Sequence, residues 1–208
     1  MKTISRTLHM LAALGLAAGV LMSPAMATPI VSISPVNQTI GVGGTATIDI
    51  IVSGLTDPTG GFSLILNYNN AILSGLSFAN DPDVKMGAAP LDLSAGFTGI
   101  GVLHLDLFFV ADAGMTEADL AASEGSGFRL ATVSFTGLAD GLSPLSLADV
   151  VLSNWDGTAT LDGVETRNGQ VCVSSTGAPC STVPEPGSIL LVATALGALA
   201  IRRRRQAA

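Results

Sequence analysis

Phe62-Ser63-Leu64-Ile65-Leu66-Asn67-Tyr68 puts Phe62, Leu64, Leu66 and Tyr68 on one face of an extended chain and Ser63, Ile65 and Asn67 on the other. A period of two specifies a strand with one face turned to a core. Toward the N-terminus, Thr45–Ser53 has the same character and is entered from the Gly41-Val42-Gly43-Gly44 turn, with Val31–Ser34 before it. Toward the C-terminus, a turn at Asn69-Asn70 leads to Ile72–Phe78, and Ile100–Val110 follows with Leu103, Leu105, Leu107 and Phe109 as its core face. Phe128–Thr136 alternates Leu130, Thr132, Ser134 and Thr136 with Ala131, Val133 and Phe135, and Pro144–Leu152 follows the Asp140-Gly141 turn. Val164–Arg167 and Gln170–Val173 flank Asn168-Gly169, the strongest two-residue hairpin pattern in the chain. The stretch opened by Asn80-Asp81-Pro82-Asp83 reads as too poor in apolar residues to be core. Asp112–Gly127 reads as a loop in which Thr116-Glu117-Ala118-Asp119 forms a capping box for one short helix. About nine short strands separated by regular turns predict an all-β sandwich of jelly-roll type.

Both termini differ from this body. Lys2 and Arg6, the apolar run Met10–Met22 and Ala25-Met26-Ala27 have the order of a secretory signal peptide over residues 1–27, with Ala25 and Ala27 as the cleavage residues. At the other end, Pro184-Glu185-Pro186-Gly187 precedes an apolar run to Ile201 and then Arg202, Arg203, Arg204 and Arg205. The prolines hold Glu185 on a stiff extended strip. The 14 residues from Ser188 to Ile201 make about 21 Å of helix against a hydrocarbon core of roughly 30 Å, short for a permanent anchor. The arginines would hold its end on the cytoplasmic side.

This tail, over 184–208, resembles the PEP-CTERM sorting signal of Gram-negative bacteria. That resemblance implies a transmembrane helix, transient residence in the inner membrane and processing by an exosortase. Residues 176–183 read as a linker and 28–175 as the folded domain. Between Thr28 and Val183 stand three basic residues (Lys85, Arg129, Arg167) and 15 acidic ones, a formal charge of −12. Nucleic acid and anionic membrane surfaces are poor partners for such a body.

Val42-Gly-Gly-Thr-Ala-Thr-Ile-Asp-Ile50, Gly61-Phe-Ser-Leu-Ile-Leu-Asn-Tyr68 with Ala71-Ile-Leu-Ser-Gly-Leu76, Val102–Ala111, Gly127–Phe135 and Gly169–Val173 are similar in pattern and order to the cohesin domains. The resemblance implies a cohesin-like jelly-roll sandwich of about nine strands, related in architecture to carbohydrate-binding modules, and non-covalent binding in place of catalysis. Gly61 and Ser63 stand where cellulosomal cohesins carry polar and acidic dockerin-contacting residues, so no contact residue is carried over.

The chemistry-bearing residues are few. His104, the one histidine outside the signal segment, shares a face with Asp106. The pair is a candidate for orienting a ligand or meeting a partner, though the favoured reading is two solvated residues on the outer face of a half-buried strand. One histidine and a distant cysteine pair make a poor zinc set. Asn154–Glu165 places oxygens at positions 1, 3, 5, 9 and 12 of a calcium-type loop, but Ala159 occupies the position that needs glycine. Trp155, the single tryptophan, is the one platform on which a sugar ring could stack. Cys172 and Cys180 predict a disulfide in an exported protein. The expected function is a secreted binding or adhesion module, not an enzyme, for extracellular polysaccharide or a surface protein. A purely structural matrix component and, less readily, a glycan-active enzyme are the alternatives.

Overall fold

The computed structural model describes residues 28–87, 89–109, 116–178 and 180. The predicted signal peptide, with Ala25 and Ala27, and the Pro184–Gly187 and Arg202–Arg205 features of the tail lie outside the described residues. The described residues form twelve strands: β1 (Ile30–Ser34), β2 (Asn37–Ile40), β3 (Thr45–Ser53), β4 (Thr59–Asn67), β5 (Leu73–Asn80), β6 (Leu91–Asp92), β7 (Gly96–Phe97), β8 (Val102–Phe108), β9 (Gly127–Gly137), β10 (Gly141–Asn154), β11 (Glu165–Arg167) and β12 (Gly169–Val173). Among the described residues, one helix, α1 (Glu117–Glu124), lies between β8 and β9 in the chain.

The strands form two facing sheets. One has the order β11-β1-β3-β9-β5. The other runs β2-β12-β10-β4-β8-β6, with β7 also paired to β8. The alternation read in β4 and β8 is what joins the layers. Leu64 pairs with Leu105 and Leu66 with Leu103 across the β4–β8 ladder, and all four are fully buried. They share one core cluster with Ile48 and Ile50 of β3 and Val133 and Phe135 of β9. Such a continuous apolar layer is the main stabilising term of a sandwich. The capping box is present as well: Thr116 Oγ1 accepts from the Asp119 N–H, and the Thr116 N–H donates to the Asp119 carboxylate.

Four sequence expectations need correction. Asn168-Gly169 is not a hairpin. β11 pairs in parallel with β1 in one sheet, whereas β12 pairs with β10 and β2 in the other. The chain therefore crosses between layers at Asn168, whose Oδ1 accepts from the Leu147 N–H. Gly169 is small because a Cβ there would lie 2.9 Å from Ile33 Cγ2.

Second, the strand count exceeds nine, because β2, β6 and β7 are short, polar or edge segments that alternation cannot detect. Third, β9 breaks its own period. Ile50 pairs with Ala131 and Ile51 with Arg129, so Leu130 is a bulged residue, and both Leu130 and Ala131 are buried. Fourth, the stretch after Asn80 does enter the core. The Asp81 carboxylate accepts from the Lys85 and Met86 N–H groups at 2.7 and 2.6 Å. That tight turn lowers Met86 to 0% exposure. Further on, Phe97 joins Tyr68, Phe78 and Phe135 in an aromatic group.

Candidate functional site

The outer face of the β10-β4-β8 layer is built from the residues that the core does not take. Across it, Val151 pairs with Ser63 and Ser63 with Asp106; one row along, Ala148 pairs with Ile65 and Ile65 with His104. A bulge between Ala148 and Val151 reorients β10, and Val151 is 42% exposed. Gly61 pairs with Phe108 in the next row. A Cβ on Gly61 would lie 2.6 Å from Phe108 Cδ1 and 3.0 Å from Ser153 Oγ. Its bareness is thus a seat for the Phe108 ring, a cross-strand glycine–aromatic pairing.

Phe108, Val151 and Ser153 floor a shallow groove of about 630 Å³, walled by Gly157, Thr158, Ala159, Thr160 and Asp162. That wall is the Asn154–Glu165 segment, and its hydrogen bonds explain its shape. The Asn154 N–H donates to the Ala159 carbonyl, the Ala159 N–H to Asn154 Oδ1 and the Leu161 N–H to the Leu152 carbonyl. Asp156 Oδ1 accepts from both the hydroxyl and the N–H of Thr158, which holds its carboxyl below the ordinary range. Of the five oxygen-bearing residues in the calcium-type pattern, Asn154, Asp156 and Thr158 thus bond within their own turn. Among the described residues, no group of three His, Cys, Asp or Glu side chains is arranged to hold a metal ion.

His104 and Asp106 do come together, with Nδ1 3.5 Å from Oδ2. Asp106 is steadied by Ser94, whose Oγ accepts from its N–H at 2.9 Å. The pair lies on the same face as Phe108 but outside the groove lining. Trp155 is half-buried and lines neither the groove nor the core cluster. Cys172 and Cys180 are disulfide-bonded, with Cα atoms 5.4 Å apart.

From sequence, Gly61 is legible only as a bare position where cohesins carry contact residues, and Phe108 and Val151 read as ordinary strand residues until the ladder register sets the three on neighbouring strands. Glu124 has no sequence signature beyond its place at the end of a short capped helix. It is 2% exposed at the end of α1, and its Oε2 accepts from the Thr59 N–H at 2.8 Å. Burial, only partly offset by that N–H and reinforced by nearby Asp81, pushes its carboxyl up to about 8.

Solved structures share the sandwich fold. A type II cohesin domain from the cellulosome of Acetivibrio cellulolyticus superposes with a TM-score of 0.57 at 19% identity, over 69% of this chain and 95% of that one. The sandwich has a cohesin-like fold. A non-cellulosomal cohesin from the archaeon Archaeoglobus fulgidus gives 0.52 at 16% identity, over 72% of this chain and 94% of that one. A chain of a type I cohesin–dockerin complex from Clostridium thermocellum gives 0.55 at 11% identity, over 71% and 99%. Residues 182–205 match the family model of the PEP-CTERM protein-sorting motif. No curated protein matches the sequence. Among the described residues, no helix is long and apolar enough to cross a membrane.

Proposed function

We propose that this chain is an exported, surface-sorted binding module whose cohesin-like body takes a protein partner on the outer face of the β10-β4-β8 layer. The groove over Phe108 and Val151 is the observation that carries this reading. Its apolar floor, its Thr158, Thr160 and Asp162 wall and the −12 charge of the body favour an apolar partner side chain flanked by basic groups. The likeness to a cohesin solved in a cohesin–dockerin complex supports a protein as occupant. Gly61 and Ser63 supply none of the polar contacts of cellulosomal cohesins, so a partner with a different contact pattern is favoured. The Pro184–Gly187 strip and Arg202–Arg205 would deliver the chain to an exosortase of the inner membrane of a Gram-negative bacterium. The cell surface or its exopolysaccharide matrix would be the destination.

The test immobilises the exported chain and compares it with Val151→Asp and Phe108→Ala against proteins of the same cell surface. A partner retained by the parent chain, lost by both variants and weakened by salt supports the reading. Retention by both variants removes it. Mobility shifts on polysaccharide gels that vanish in Trp155→Ala would replace the protein partner with a sugar. Absence of both behaviours would leave a structural matrix component.

A further inference from the structure

The groove and the stem of the sorting tail lie at opposite ends of one strand. β10 starts at Gly141 and ends at Asn154. Beside its start, the chain completes β12 and turns back: the Ser175 N–H and hydroxyl donate to the two Asp140 oxygens at 2.6 and 2.8 Å. The Cys172–Cys180 bridge then ties Cys180 to β12, with its Sγ 3.1 Å from the Gly141 carbonyl oxygen. The sorting motif begins at residue 182, two residues past this clamp. At the far end of β10, Val151 and Ser153 floor the groove. Ten residues of strand separate Gly141 from Val151, about 30 Å at roughly 3.3 Å per residue.

We propose that the disulfide-clamped stem fixes the tail at the pole opposite the groove, so that the membrane-tethered precursor already presents the groove to its protein partner on the side away from the bilayer. The proposal rests on the membrane-sorted reading above. The acidic body reinforces it, because an anionic lipid surface repels a domain of charge −12 and disfavours its lying flat. The groove is therefore open to a protein approaching from outside the membrane plane while the tail is still in place.

The chain carries a reporter for this geometry. Trp155 is its single tryptophan and directly follows the end of β10. The full chain with its tail is reconstituted in vesicles of zwitterionic and anionic phospholipid bearing dansyl headgroups, and energy transfer from tryptophan to dansyl is read. Two variants in a Trp155→Phe background complete the set: Thr176→Trp, an exposed site at the stem, and Leu191→Trp within the tail. Transfer from Thr176→Trp at least twofold above that from Trp155, with the strongest transfer from Leu191→Trp, is the expected result. Equal transfer from Trp155 and Thr176→Trp, with Leu191→Trp still strong, overturns the opposed-pole arrangement alone. Weak transfer from Leu191→Trp means that the tail is not in the bilayer, and it overturns the membrane-sorted reading together with the proposal.

Discussion

Gly61 and Glu124 show how much a single position decides. Any side chain at Gly61 must move Phe108, whose Cδ1 stands 2.6 Å from where a Cβ would go. Gly61→Val is expected to cost about 1–3 kcal/mol and to abolish partner binding by tilting the ring out of the groove floor. Urea unfolding and the capture assay read the two effects separately. At Glu124, the folded carboxyl sits near 8 against an ordinary 4.5. Between those values the folded chain holds a proton that the unfolded chain has lost. Its contribution is fully present below about 4.5 and is lost as pH rises through about 8, with a slope approaching about 1.4 kcal/mol per pH unit. Glu124→Gln keeps an acceptor for the Thr59 N–H and cannot ionise. Unfolding curves at pH 5, 6.5 and 8 should fall in stability for the parent chain and flatten for this variant; parallel curves would refute the assignment.

Elements succeed or fail as readings according to what pairs with them. β4 and β8 were legible because each has one buried and one outer face, so period two is written in their side chains. β2, reading Asn37-Gln38-Thr39-Ile40, buries neither face fully and carries no such record; its parallel partner β12 makes it a strand. The Asp81–Met86 turn is the reverse case. Its sequence looks polar because Asp81 spends its charge on two backbone N–H groups, and what those bonds achieve is the burial of Met86. Met86→Ala should therefore cost about 2–5 kcal/mol. Val84→Asn, at a position 59% exposed and with φ of 53°, should cost nothing, since asparagine tolerates that backbone region better than a β-branched residue. Thermal unfolding of the two variants separates a core turn from a surface loop.

On the scale of the whole molecule, the disulfide and the charge set how the domain is held and met. Replacing Cys172 and Cys180 with serine should lower stability by at most about 2–3 kcal/mol, because the loop they close is short. It should also make residues 174–181 more susceptible to protease, which mass spectrometry of the fragments would show. The sequence by itself determined the all-β class, the main apolar faces, the capped helix, the cysteine pair and the sorting address, because each is recorded in local spacing or residue type. Tertiary structure alone decided that β11 and β12 part into different sheets and that Gly61 seats Phe108. It likewise set the groove at the opposite pole from the tail's stem. Those outcomes depend on ladder register between residues far apart in the chain, and strand alternation is the same whichever neighbour a strand finds.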